Sequence, residues 1–194
     1  MPNNMSSLIK FSSKDQNILK DIYDFAKNRR VKLYLVGGVL RDLILAREKA
    51  NPDFDFAIKN HAISFGRTLA YWLKAGFVVL DKEHGACRIV KKIGAKTYTF
   101  DFSDFRGANL EEDLKYRDFT INSMALELEK IFSCKDLNSV LIDLYGAKED
   151  LKRKIIRIVN RRSFRDDPLR ILRAFSFASR LGFEIDQETL CLAK

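Results

Sequence analysis

Ile18, Ile22, Phe25 and Ala26 recur at helical spacing and predict an opening helix over 14–27. A short apolar strand over 32–36 runs into Gly37-Gly38, where a new helix begins and extends to about 47. Residues 53–58 alternate acid and aromatic, Asp53-Phe54-Asp55-Phe56, as a half-buried strand does. A helix follows over 61–74, then strands over 77–80, 86–90 and 96–105. From Leu110 the pattern turns helical, with strand-like pieces over 125–129, 140–143 and 155–159 and a strong helix over 167–180. Along that last helix, Ile171, Ala174, Phe175, Ala178 and Leu181 form the predicted core stripe. The fold class is therefore mixed α/β, with a mixed sheet of about five strands in a head over 1–130 and a smaller helical neck over 131–194. Regular βαβ alternation is missing, which excludes a doubly wound parallel sheet.

The chain has 194 residues, 46% of them hydrophobic, enough for a core without covalent staples. No apolar run approaches the roughly 18 residues that cross a bilayer, so no membrane partner is expected. The start, MPNNMSSLIKF, lacks the basic and apolar regions of a secretory signal. Cys87, Cys134 and Cys191 are too scattered for a disulfide framework or a zinc motif, and a reduced, cytoplasmic setting fits them. Charge changes the picture more. The formal net charge is +9, and residues 151–183 hold ten Lys and Arg against two Asp. Such a patch suits a polyanion such as nucleic acid, although a Lys-rich solvated surface has the same composition.

Five segments carry candidate chemistry. Asp53 and Asp55, two apart on a strand, share one face, and paired carboxylates are relieved by a cation such as Mg2+. Surface strands also carry such pairs by chance. Gly37-Gly38, between strand and helix, lets backbone N–H groups approach a phosphate, with Arg41 one turn further on. A plain strand–turn–helix junction is the alternative. Asp101, in Tyr98-Thr99-Phe100-Asp101-Phe102, is a third carboxylate on a strand of its own. It could complete a two-metal site or merely be exposed. In Arg117-Asp118-Phe119-Thr120-Ile121-Asn122, Arg117 and Asn122 have the chemistry to bind triphosphate and ribose, although with the preceding acids and Lys115 the composition favours a solvated helix face. Asp167-Pro168-Leu169-Arg170 reads as a capped helix start, in which Asp167 accepts and Arg170 donates in a planar fork, as the edge of a base does.

The segments LYLVGGVLRDLIL, DFDF, RDFTINSMA and DDPLRILRAFSFASRLGF occur together and in this order in one family. From about 32 to 184 the chain resembles the class II tRNA nucleotidyltransferases and the bacterial poly(A) polymerases. The resemblance implies a polymerase-β-like head and a helical neck. It implies that Asp53, Asp55 and Asp101 bind two Mg2+ ions, and that Gly37, Gly38 and Arg41 bind triphosphate. Arg117, Asp118 and Asn122 would hold ribose and phosphate, Asp167 and Arg170 would select the base, and Arg173 would touch the nucleotide. The implied reaction adds CMP, AMP or both to the 3′ end of an RNA, most plausibly tRNA, from CTP or ATP. Poly(A) synthesis is the close alternative, and an inactive RNA- or nucleotide-binding head is the alternative of another class.

Four departures from the family pattern stand out. Tyr116 replaces an arginine, Asp166 replaces a glutamate, and Ser176 stands where another arginine is usual. Only residues 107–112 separate Arg106 from Asp113, where relatives carry a longer mobile loop. Lys194 falls where the family's RNA-gripping body and tail begin, so these 194 residues are expected to bind nucleoside triphosphate better than tRNA. The tRNA binding they retain should rest on 151–183 and weaken steeply between about 50 and 200 mM salt. Filter binding across that range checks this, and tight, salt-insensitive binding would contradict it.

Overall fold

The computed structural model describes residues 11–47 and 51–193. The segment read as lacking a secretory signal therefore lies, up to residue 10, outside the described residues. In chain order the elements are α1 (Ser13–Asn28), β1 (Leu33–Val36), α2 (Gly38–Ile44), β2 (Asp53–Ile58), α3 (Ala62–Leu73), β3 (Gly76–Asp81), β4 (Ala86–Ile93), β5 (Lys96–Asp104) and α4 (Leu110–Lys115). A 3-10 turn, Thr120–Asn122, leads to β6 (Met124–Glu127), α5 (Lys130–Ser133), β7 (Ile142–Asp143) and α6 (Ala147–Arg153). The chain continues through β8 (Ile155–Ile156), α7 (Ser163–Asp166), α8 (Leu169–Leu181), β9 (Glu184–Ile185) and α9 (Gln187–Leu192).

Among the described residues, seven strands form one sheet in the order β3-β4-β5-β2-β1-β6-β7. Only β2 and β5 pair in parallel; the other neighbours are antiparallel. The sequence predicts about five strands. The larger count arises because two of the short pieces it reads near 125–129 and 140–143 join the sheet as β6 and β7, whereas Ile155 and Ile156 pair with β9 instead. β7 joins the sheet from beyond residue 130.

Alternation explains the core. Phe54, Phe56, Phe100 and Phe102 are buried on one face, where Phe56 stacks on Phe102 at 4.8 Å and Phe54 on Phe100 at 5.8 Å. Ser12 accepts a hydrogen bond from the Asp15 N–H and so starts α1, whose Ile22 and Phe25 join this core with Phe65 and Leu69 of α3. Each such side chain contributes about 1.5–3 kcal/mol by leaving water. The opposite face is covered only in part. Val36, Ala57, Leu114 and Ala125 make a small second cluster there, which seats α4 beside the ends of β1 and β2. No helix among the described residues is long and apolar enough to cross a membrane.

Helix α8 differs from its predicted stripe. Ala174 and Phe177 are buried, and Ile171, Ala178 and Leu181 pack at the edge of the core, but Phe175 is half exposed. Phe177, three residues after Ala174, takes the inward position and meets the edge of Phe119 at 5.6 Å.

Candidate active site

The register of β2 against β5 sets Asp55 opposite Asp101 on the face away from the phenylalanines. Asp55 and Asp101 line a cleft of about 400 Å3 together with Arg117, Asp167, Arg170 and Arg173. The cleft therefore brings sheet carboxylates together with guanidinium groups from the segment after α4 and from α8. Asp53 stands at the exposed start of β2 and lines a separate, smaller cavity with Val39 and Asp42.

Gly37 joins β1 to α2 with φ +74° and ψ −146°, a conformation that side chains strongly disfavour. A Cβ there would lie 3.0 Å from Asp55 Oδ2 and 3.6 Å from Arg117 Nη1. The bare backbone thus lets the acid and the arginine converge at the mouth of the turn. Gly38 plays a similar part for Arg41, whose Nη2 would sit 3.2 Å from an added Cβ.

Buried Arg41 faces inward. It donates to Asp42 Oδ1 at 2.9 Å and to Asn122 Oδ1 at 2.7 Å. Asn122 Nδ2 donates in turn to Asp118 Oδ1 at 3.0 Å, and Arg173 Nη2 lies 2.6 Å from Asp118 Oδ2. The two sequence motifs are thereby joined into one chain of polar contacts running from α2 to α8. Arg41, Arg173 and Arg180 all lie within 5.6 Å of the Phe177 ring centroid. Arg117 donates to Asp113 Oδ2 at 3.0 Å, while its Nε is buried without a hydrogen-bond partner.

Asp167 and Arg170 are neighbours, with Arg170 Nε 3.6 Å from Asp167 Oδ2. Asp167 Oδ1 accepts from the Leu169 N–H, the capping role expected of it. Arg170 is buried. Its Nη1 donates to Ser163 Oγ at 2.8 Å and its Nη2 to the Tyr116 carbonyl at 2.9 Å, which pins α8 to the segment before Arg117.

Sequence reasoning missed Arg88. Its Nε donates to Asp101 Oδ1 at 2.7 Å and its Nη2 to Asp101 Oδ2 at 2.8 Å. The hydrogen-bonded Asp101 carboxylate holds the Arg88 guanidinium above its ordinary pKa, and the charges of Asp53 and Asp55 add to this. A signal was present: the turn at Gly94-Ala95 pairs Ile93 with Lys96, and counting back from it sets Arg88 opposite Asp101. Cys87, by contrast, is a neutral core thiol that burial pushes up to about 12.

Three carboxylates from neighbouring strands are hard oxygen donors suited in type to a divalent cation. Yet among the described residues no group of three His, Cys, Asp or Glu is gathered closely enough to hold one, and both Asp101 oxygens are engaged by Arg88. The residues fit the metal in chemistry and in face, provided that Asp101 turns.

Over residues 33–157 the sequence matches the Poly A polymerase head domain family. The chain belongs to this family. Within the poly(A) polymerase head domain family, similar proteins include the CC-adding tRNA nucleotidyltransferase of Synechocystis sp., 38% identical over 155 residues, which are 80% of this chain and 34% of that protein. The A-adding tRNA nucleotidyltransferase of Aquifex aeolicus is 35% identical over 84% of this chain and 20% of its own length. The Thermotoga maritima CCA-adding enzyme complexed with tRNA superposes with a TM-score of 0.78 at 33% identity, over 94% of this chain and 42% of that one. The chain thus spans about a third of the length of the Synechocystis relative.

Replacing Gly37 by alanine should cost about 1–3 kcal/mol of stability from backbone strain alone. It should also push the Asp55 carboxylate off the turn. Urea denaturation measures the loss, and a variant with unchanged stability would contradict it.

Proposed function

We propose that this chain carries the catalytic and nucleotide-binding part of an enzyme that adds CMP, AMP or both to the 3′ end of a tRNA. The observation that carries this reading is the single cleft in which Asp55 and Asp101 face Arg117, Arg170 and Arg173. Carboxylates on one side and guanidinium groups on the other suit a metal-bound triphosphate. An RNA 3′-hydroxyl would attack the α-phosphate of CTP or ATP, forming one P–O bond as the bond to pyrophosphate breaks.

Nucleotidyltransferases of this family generally use divalent metal ions. In our reading Asp53 and Asp55, with Asp101, hold two Mg2+ ions. Bound there, Mg2+ supplies positive charge to the phosphates and acidity to the attacking hydroxyl. The chain's own contribution is positioning and neutralisation of charge. The Gly37-Gly38 turn, with Arg41 and Arg117, receives the triphosphate. Asp118 and Asn122 orient the ribose side, Asp167 and Arg170 face the base, and Arg173 adds charge from α8. Residues 1–130 act as the head and 131–194 as the neck.

Asp53→Ala and Asp55→Ala should each lower incorporation of radiolabelled CTP into tRNA lacking its 3′ end by at least about a hundredfold. Circular dichroism should stay native, because neither side chain belongs to the apolar core. An active, folded Asp53→Ala protein would sink the metal assignment, and a wild-type chain without any incorporation would favour a binding head.

The nucleotide preference follows from the connection between Arg106 and Asp113. The Arg106 N–H donates to Asp113 Oδ1 at 3.1 Å, the Ala108 N–H to Glu112 Oε2 at 2.7 Å, and the Glu112 N–H to Asn109 Oδ1 at 2.9 Å. Six residues held in this way make a tight bridge rather than a long lever that could reshape the pocket between C and A. The chain is therefore expected to use CTP efficiently and ATP poorly. Supplying each nucleotide with tRNA ending before its first C, and with tRNA ending in CC, is the assay. Efficient A addition to the CC end would refute the loop argument, and long A tracts would indicate poly(A) synthesis.

A further inference from the structure

The order β4-β5-β2 puts the two neighbours of Asp101 on opposite sides of it. Asp55 lies across the parallel ladder on β2, and Arg88 lies across the antiparallel ladder on β4. All three side chains emerge on the same sheet face. Both Asp101 oxygens point at Arg88, at 2.7 and 2.8 Å, so the carboxylate is drawn toward β4 and away from Asp55. The pair is not sealed. Arg88 is 43% exposed and Asp101 25% exposed, and the residue across from Arg88 on β3 is the half-exposed Val78. Arg88 therefore has room to swing into solvent once its partner turns.

We propose that Arg88 is a built-in counter-cation that competes with divalent metal for Asp101, and so raises the metal concentration the site requires. The inference rests on reading Asp53, Asp55 and Asp101 as the metal site. Its physical basis is that one carboxylate cannot face both sides at once. A guanidinium in bidentate contact is also a standing positive charge beside the place where a second one must enter. Metal loading then turns Asp101 from β4 toward β2 and releases Arg88 to water. Arg88 acts through Asp101 and is a positioning residue, not a catalytic one. A purely structural clamp, holding Asp101 ready as a ligand, makes the opposite prediction: its loss would weaken metal binding.

The test is Mn2+ titration of the nucleotide-free chain, followed by electron paramagnetic resonance. Arg88→Gln should bind Mn2+ about three- to fivefold more tightly than wild type, the size expected of a half-exposed pair. Arg88→Lys keeps the charge and should stay near wild type. Arg88→Gln should also gain more in Tm from added Mg2+ than wild type does. In the unaltered protein, the Nε–H resonance of Arg88 should shift on Mg2+ addition with the midpoint of metal binding, a readout that needs no variant. Unchanged or weaker Mn2+ binding by Arg88→Gln, or a motionless Arg88 resonance at metal saturation, would overturn the proposal. Asp55→Asn is the control on the underlying reading: Mn2+ binding that survives it undamaged would remove the metal site itself, whatever Arg88 does.

Discussion

The in-register parallel pairing of β2 with β5 is the contact on which core and cleft both depend. It sets Phe54 and Phe56 against Phe100 and Phe102 on one face and, by the same period of two, Asp55 against Asp101 on the other. A slip of one residue would drive carboxylates into the aromatic core and rings into the cleft, so the alternative registers are excluded by the cost of burying charge. The stacked rings stabilise the fold, and in doing so they fix the separation of the acids. The acids could not hold themselves there, because like charges on adjacent strands repel.

The second constraint joins α2 to α8. Arg41, Asn122, Asp118 and Arg173 form one line of donors and acceptors from α2 to α8, and Arg170 reaches from α8 to Ser163 and the Tyr116 carbonyl. Removing one of its buried members, Arg41, Asn122 or Asp118, leaves a charge or amide without its partner, which costs more than the bond itself contributed. The line also brackets the cleft, so α8 cannot drift from the sheet without disturbing Asp118. Residues that look like separate motifs in sequence are mechanically one unit.

The acid–aromatic alternation of 53–58 and the apolar spacing of 14–27 were legible because each element buries one face, and burial leaves a period. The Gly37 turn was legible because few residues other than glycine tolerate its conformation. What stayed hidden was pairing rather than existence: the short pieces at 125–129 and 140–143 read as strand-like, but only the folded context sets β6 beside β1, far away in sequence, and β7 beside β6. Arg170 reads in sequence as a free donor fork at a helix start, yet Ser163 and two carbonyls take its fork inside. Arg88 was hidden for another reason: an arginine on a half-exposed strand is ordinary until the hairpin register sets it opposite Asp101.

The burial of Arg170 bears on how a base could be read. Its Nη atoms are committed to protein oxygens, which leaves Nε, near Asp167, and the carboxylate of Asp167 itself as the polar edge turned toward the larger cleft beside Lys115 and Tyr116. An edge with one donor and one acceptor can pair with the amino group and ring nitrogen of cytosine or of adenine, since both bases offer that pattern. Hydrogen bonding alone therefore discriminates poorly between them here. The choice has to come from size, which depends on how far the wall opposite Asp167 can move. The same cleft is lined by Arg106 and Glu112, which flank and close the hydrogen-bonded 107–112 bridge. If Asp167 and Arg170 read the base as proposed, selectivity becomes a matter of stiffness: the same bonds that close the bridge would fix the space left for the base.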